Sequence, residues 1–315
     1  MRAVGFTEFG GPEVMRILEL PEPHAGRGQV RIKVAAADVN PSDGVYRSGY
    51  VKKLSPGAFP DSDAYVVGWD AAGVIDEVGD DVRSELTVGT EALALVLPQL
   101  TRGAQAEYLV APAESVVRAP RGVTPTAAST LLMNGVTARQ ALELLEVPPG
   151  ATVAVIGAAG AVGGFAVQLA KAAGLTVIAD ASERDRDLVA ALGADHLVPR
   201  GDGFIDAVLG LRPDGVDGLI DTARFTAAVA AAVREGGVVA TLRPVTDAAD
   251  RGVRLRAVDV SKDLGDTGAL DQLRDQAESG VLTLRVAATF APEEAAQAHA
   301  LMEAGGVRGR PVFVF

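Results

Sequence analysis

The sequence predicts an α/β chain in two parts, an all-β unit followed by a doubly wound parallel sheet, and three observations carry that prediction. At 315 residues the chain is longer than a single hydrophobic core usually serves. Near Pro125 its apolar pattern changes from short β-type runs to alternating strands and helices. Within the second part, a buried strand from Thr152 to Ile156 runs directly into a glycine-spaced turn and a helix.

The first part reads as strands at Arg2–Phe6, Met15–Glu19, Val30–Ala36, Gly73–Val78, Ala92–Leu97 and Ala106–Val110, separated by Gly, Pro and Asp turns. A short helix or irregular turn is expected around Pro41–Gly49. Helical spacing then appears at Ala127–Leu132 and Val136–Leu145. Parallel strands are predicted at Thr152–Ile156, Thr176–Ala179, His196–Val198, Gly218–Ile220 and Val238–Thr241. The helices between them are predicted at Ala161–Ala173, Arg184–Leu192, Phe204–Leu209 and Thr226–Arg234. The tail carries β-type residues at Arg285–Phe290, a helix at Glu293–Glu303 and a last strand at Pro311–Phe315, and is expected to return to the first part.

Charge and composition remove several function classes. A net charge of −12, with Lys and Arg scattered, leaves no electrostatic footprint for a nucleic acid. The absence of Cys excludes disulfides, thiolate chemistry and Cys-ligated metal sites. Glu8 and Gly10 interrupt the N-terminus before a signal-peptide apolar region forms, and glycines, Gln168 and Lys171 break the apolar stretch from Thr152 to Ala179. A cytoplasmic protein with no membrane partner is expected.

Gly157, Gly160 and Gly163 have the spacing G-x-x-G-x-x-G, a relative of the dinucleotide fingerprint. Gly157 supplies the tight turn, Gly160 removes a Cβ that would block a pyrophosphate, and Gly163 lets the helix lie close on its strand. The helix N-terminus then offers N–H groups and a positive dipole end to phosphates. Asp180, at the end of the next strand, stands where an acidic residue hydrogen-bonds an adenosine ribose, or where a helix cap would lie. Ser182, Arg184 and Arg186 follow and are suited to a 2′-phosphate, or to a solvated helix face. The two signals oppose one another, so NADP is the expected cofactor with NAD left open.

Further motifs occur in order along the chain: Phe9-Gly10-Gly11-Pro12-Glu13-Val14, Val39-Asn40-Pro41-Ser42-Asp43, Arg47-Ser48-Gly49 and Gly68-Trp69-Asp70-Ala71-Ala72-Gly73-Val74-Ile75. After them come Ala106-Glu107-Tyr108, Gly135-Val136-Thr137-Ala138, the glycine turn, Leu192-Gly193-Ala194-Asp195, Ala298-His299 and Gly309-Arg310. Together they resemble the zinc-independent quinone-oxidoreductase branch of the medium-chain dehydrogenase/reductase superfamily, over nearly the whole chain. The resemblance implies a GroES-like β-barrel domain (residues 1–122 and 285–315) plus a Rossmann doubly wound parallel sheet domain (123–284), with the cofactor in the cleft between them.

It further implies Asn40 and Thr137 near the nicotinamide, Gly157, Ala158, Ala159, Gly160, Ala161 and Val162 around the pyrophosphate, and Ser182 with Arg184 in the 2′-phosphate segment. Asp180 is an uncommon residue in that branch. Zinc-dependent relatives place Cys where Val39-Asn40 lies and His-Glu where Trp69-Asp70 lies. Here His24, His196 and His299 are far apart and no Cys exists, so no metal is expected.

The expected activity is NAD(P)H-dependent reduction of a small-molecule quinone or α,β-unsaturated carbonyl compound. Reduction of an enoyl thioester or a biosynthetic intermediate is the second reading, and a nucleotide-binding redox sensor or structural protein without turnover the third. Tyr46 is a candidate proton donor, displaced one residue from the position (Val45) where relatives often carry a Tyr; packing or a surface role is the competing reading. Asn40 and Asp43 are candidates to order substrate or nicotinamide ribose, with ordinary turn and cap chemistry the alternative. Trp69 is expected as a packing anchor. A homodimer or higher oligomer is expected, with the segment around Val253–Val260 as the candidate edge.

Overall fold

The structure, a computed structural model, describes residues 1–54, 60–223, 226–243 and 249–315. Packing groups Met1–Met133, Asp263–Ser279 and Leu284–Phe315 into one unit, and Asn134–Lys262 with Gly280–Thr283 into another. Relative to the division drawn from sequence, residues 123–133, 263–279 and 284 lie with the first unit.

In chain order the first unit opens with β1 (Arg2–Phe6), β2 (Arg16–Glu19), β3 (Gln29–Asp38), α1 (Pro41–Arg47), α2 (Tyr50–Leu54), β4 (Tyr65–Val66) and β5 (Asp70–Val78). It continues with β6 (Glu91–Leu95), β7 (Tyr108–Pro112), β8 (Val116–Arg118) and α3 (Pro125–Ala128), and α4 (Leu132–Glu143) follows. Val30, Ile32 and Val34 alternate along β3 onto a buried face with Ile75, Leu86 and Leu109. Gly73 of β5 is required by close approach: a Cβ there would stand 2.1 Å from Lys33 O on β3. A second core joins Phe6, Val39, Tyr65 and Phe313, with Phe6 and Tyr65 stacked at 5.2 Å between ring centroids.

The second unit holds β9 (Thr152–Ile156), α5 (Ala161–Ala172), β10 (Thr176–Ala181), α6 (Arg186–Ala191), β11 (His196–Pro199), α7 (Phe204–Leu211), β12 (Val216–Asp221), β13 (Val233–Thr241) and β14 (Arg254–Ala257). The six strands are all parallel, in the order β11-β10-β9-β12-β13-β14. The order in which successive strands are added therefore reverses between β9 and β12, the place where doubly wound sheets open a crevice at their carboxyl ends. All five residues of β9 are buried, as expected of a central strand covered on both faces. The helix expected at Thr226–Arg234 is instead a 3-10 run over Thr226–Ala232, because Val233 already pairs with Val216 as the first residue of β13.

The tail adds α8 (Thr267–Glu278), β15 (Val286–Phe290), α9 (Ala295–Ala304) and β16 (Arg310–Val314). The tail returns to the first unit: β16 pairs antiparallel with β3 and parallel with β15. The sequence reading had placed no element at α8, which Asp266 caps by accepting from Ala269 N at 3.0 Å. Its packing on β8, and that of α3 on β3 and β5, is why those segments belong to the first unit. Among the described residues no helix is long and apolar enough to cross a membrane.

Candidate functional site

In the second unit the glycine turn lies at the carboxyl end of β9, beside the reversal point. Gly157 has φ +80°, and a Cβ on it would press on Thr222 Oγ1, so turn and close approach both demand glycine. A Cβ on Gly163 would stand 2.2 Å from Gly157 O, which is the close helix-on-strand packing expected of it. Gly160 differs: a Cβ there meets a single atom among the described residues, Gly157 O at 3.1 Å. The helix ladder begins with Gly164 N donating to Gly160 O at 2.9 Å, so the N–H groups of Ala161, Val162 and Gly163 precede the first intrahelical bond. A tight glycine turn, a helix of 12 residues starting from it and, among the described residues, a single atom within 4 Å of a Gly160 Cβ suit a pyrophosphate. Ala158 and Ala159 are buried within this turn.

Asp180 is turned toward the glycine turn. Its Oδ1 accepts from Gly157 N at 2.7 Å and Ala158 N at 3.0 Å, and the residue is 2% exposed. Oδ2 is also buried, with Arg200 Nε at 3.9 Å. Burial raises the Asp180 carboxyl above its ordinary value, partly offset by the two turn N–H groups. Successive strand residues point to opposite faces, so an Asp aimed at the turn leaves Ala181 on the other face. Beyond it the Ser182 hydroxyl donates to Asp185, Arg184 is largely exposed, and Arg200 follows β11, the strand paired with β10. Arg200 was missed in the sequence because it lies 20 residues from Asp180; only the β10–β11 pairing brings it close. Thr137 is buried on α4.

The first unit holds a buried polar cluster. Asn40 stands before α1 with extended φ/ψ, and Pro41 sets the first helical position. Asp43 is 0% exposed, and its carboxylate accepts from Asn40 N at 2.8 Å, Gly68 N at 2.9 Å and Gln105 Nε2 at 3.2 Å. Burial pushes it up to about 7, against the two backbone donors that lower it. The geometry is that of a cap holding a loop, with both oxygens engaged by protein. Asn40 Nδ2 donates to Asp38 Oδ1 at 2.6 Å, while Asp70 Oδ2 accepts from Met133 N at 3.0 Å. Asp38 and Asp70 hydrogen-bond to each other; burial first, then the Asp70 charge, holds Asp38 well above the carboxylate range, so the pair shares a proton. Buried Arg310 supplies the opposing charge.

Tyr46 is half-buried and packs edge-on against Trp69, ring centroids 5.7 Å apart at 86°. Burial, then the Asp43 charge, raises its hydroxyl above the usual phenol value. Behind α1 runs a relay that the sequence did not disclose. Arg47, 1% exposed, donates to Gly10 O, to Glu303 and, at 3.0 Å, to His299 Nδ1. That fixes the tautomer, so His299 Nε2 donates to Gln105 Oε1 at 3.4 Å, and Gln105 Nε2 donates in turn to Asp38 O and Asp43 Oδ2. Burial, then Arg47, pushes His299 down to about 3, so it is neutral. Of the three His, His24 meets Glu77 at the surface. Among the described residues no group of three or more His, Asp or Glu is arranged to hold a metal.

Comparisons agree with this architecture. Family models described as Alcohol dehydrogenase GroES-like domain and Zinc-binding dehydrogenase match residues 26–121 and 192–312. A chloroplastic quinone-oxidoreductase of Triphysaria versicolor is 34% identical over 205 residues, 63% of this chain and 60% of that protein. The match with this and two further chloroplast relatives thus spans about 60% of their length. A 2-haloacrylate reductase of a Burkholderia species is 30% identical over 93% of this chain and 92% of its own. A mycobacterial protein complexed with NADPH has TM-score 0.86 and 27% identity, with both chains fully covered. With a relative matched over nearly its full length and the same two-part fold, the chain belongs to the quinone-oxidoreductase branch of the medium-chain dehydrogenase/reductase superfamily.

Proposed function

We propose that this protein is an NAD(P)H-dependent reductase that delivers hydride to a quinone or an α,β-unsaturated carbonyl compound without zinc. The observation that carries the proposal is the glycine turn, with the N–H groups of Ala161 and Val162 ahead of the first helical bond and, among the described residues, a single backbone atom within 4 Å of where a Gly160 Cβ would stand. When bound, the reduced nicotinamide supplies the hydride. The chain's residues bind and orient: the backbone from Gly157 to Val162 holds the pyrophosphate, and Asp180 keeps that turn in shape. Asn40 and Thr137 serve the nicotinamide end, and Asp43 positions the Asn40 loop.

NADP is the proposed cofactor. The Asp180 carboxylate is drawn into the turn, Ala181 puts no negative charge on the opposite face, and Ser182, Arg184 and Arg200 follow the carboxyl ends of β10 and β11. A 2′-phosphate is recognised by such hydroxyl and guanidinium groups. Tyr46 keeps its proton at neutral pH; we assign it to packing on Trp69 and take the proton of the reaction from solvent. The substrate class rests on what the relatives' names share, since quinones and 2-haloacrylate both carry a C=C conjugated to an electron-withdrawing carbonyl carbon. β14 ends the six-stranded sheet, and we propose it as the edge along which two copies pair.

The test is fluorescence titration with NADPH and NADH, followed by absorbance decay on adding 9,10-phenanthrenequinone, with and without a chelator. Consumption of NADPH, unaffected by the chelator, is expected. Failure to bind either nucleotide overturns the reading of the turn; binding without consumption on quinones and enones favours a sensor.

A further inference from the structure

Three strand ends converge around Asn40. Asp38 closes β3, Asp70 opens β5 and Arg310 opens β16, all three with buried side chains. Asn40 turns its N–H2 edge toward the two carboxyl groups, donating to Asp38 Oδ1 at 2.6 Å and reaching Asp70 Oδ1 at 3.5 Å. Its other polar atom, Oδ1, is buried in a residue only 2% exposed and has no donor among the described residues. A primary amide carries donors on one edge and an acceptor on the other, and nothing in its shape decides which way it turns. A carboxyl acceptor on one side decides it. A buried carbonyl oxygen left without a donor is costly, so the arrangement is complete only when something donates to it.

We propose that Asp38 is a positioning residue that locks the Asn40 carboxamide in one sense, so that the site offers a hydrogen-bond acceptor to the nicotinamide end of the cofactor. The inference rests on the reading that this end of the cofactor lies at Asn40. Asp70 is the partner that keeps Asp38 in place: its second oxygen is tied to Met133 N, so the carboxyl pair is held from α4 as well as from β5. Without the Asp38 oxygen the amide loses its short bond and is free to turn its N–H2 edge outward. Bound donors on the cofactor then meet donors.

Two substitutions separate positioning from bulk stability. In Asp38→Asn the side-chain oxygen still accepts from Asn40 Nδ2, and its own N–H2 replaces the shared proton toward Asp70. Asp38→Ala keeps neither bond. Fluorescence titration with NADPH should show Asp38→Ala weakened about tenfold and Asp38→Asn within about threefold of the parent, with melting temperatures of both recorded. The proposal is overturned if the two variants lose affinity alike, or if Asp38→Ala binds as tightly as the parent.

If Asp38→Ala does not fold, the side-chain amide resonances of Asn40, assigned through Asn40→Asp, decide the matter in cofactor-free parent and Asp38→Asn. Slow proton exchange in both supports the lock. Exchange as fast as that of an exposed Asn overturns it. A parent protein that binds neither NADPH nor NADH sinks the proposed function instead, and the Asn40 exchange rate still decides whether the amide is locked.

Discussion

Replacing Gly160 by Ala should separate two properties that Gly163→Ala loses together. Gly160 has φ −76° and ψ 171°, a conformation any residue adopts, and among the described residues its added Cβ would meet only Gly157 O at 3.1 Å. The variant also gains about 0.4–1 kcal/mol by restricting the unfolded chain, which offsets that contact and leaves stability within about 1 kcal/mol of the parent. At Gly163 the Cβ would stand 2.2 Å from Gly157 O and 2.9 Å from Ala158 Cα, both backbone atoms that cannot swing aside. Overpacking of this kind costs about 1–3 kcal/mol, and at about 2 °C per kcal/mol for a chain of this size the melting temperature should fall by roughly 2–6 °C. Thermal melts and NADPH titrations on both variants check this. Gly160→Ala should melt near the parent yet bind NADPH at least about tenfold more weakly. If it binds NADPH as well as the parent, the pyrophosphate does not lie against Gly160; if it melts as low as Gly163→Ala, protein rather than ligand demands the glycine.

Other consequences follow from the same geometry. Asp180→Ala strips the acceptor from Gly157 N and Ala158 N, so titrations should show NADH and NADPH weakened alike, whereas Arg184→Ala with Arg200→Ala should weaken NADPH selectively; a switch of preference in Asp180→Ala would contradict its role in the turn. Asp43→Ala leaves three buried N–H donors unmatched and should cost about 3 kcal/mol or more in denaturant unfolding. Tyr46→Phe keeps the packing on Trp69 and should leave kcat within about threefold, a change of no more than about 0.7 kcal/mol in the barrier.

His299 is neutral when folded, with its pKa pushed from 6.5 to about 3 by burial and then by Arg47. The unfolded chain therefore binds more protons between those values, and this contribution to stability is present above the unfolded pKa and lost as pH falls toward 3. The slope is at most about 1.4 kcal/mol per pH unit. Asp43, raised from 3.8 to about 7, runs the other way, its contribution being lost as pH rises through the folded value. Comparing parent with His299→Gln isolates the first effect: the variant should lose less stability on acidification below about pH 6.

The second unit was legible because its signals are local. The residues of β9 and the turn that follows are both legible in the sequence, since strand, turn and helix are contiguous. Asp180 was legible as a residue but not in its direction; alternation along β10 separates it from Ala181 and was the available signal. The relay through Arg47, His299 and Gln105 was not legible, because Arg47 and His299 are 252 positions apart and meet only when the tail returns to the first unit. Asp38 was not legible for a similar reason: it lies two residues beyond the strand expected at Val30–Ala36, and its meaning comes from Asp70 and Arg310 on two other strands. The 3-10 run at Thr226–Ala232 carries helical composition, but pairing of Val233 with Val216 ends it early.

The most direct test of hydride transfer is reduction of a simple enone with NADPH deuterated at C4 of the nicotinamide, one face at a time, with the product read by mass spectrometry and NMR. Hydride transfer predicts one deuterium at the β-carbon from one face only, and a solvent-derived proton at the α-carbon. An unlabelled product, label from both faces equally, or no reduction of any enone or quinone would contradict it.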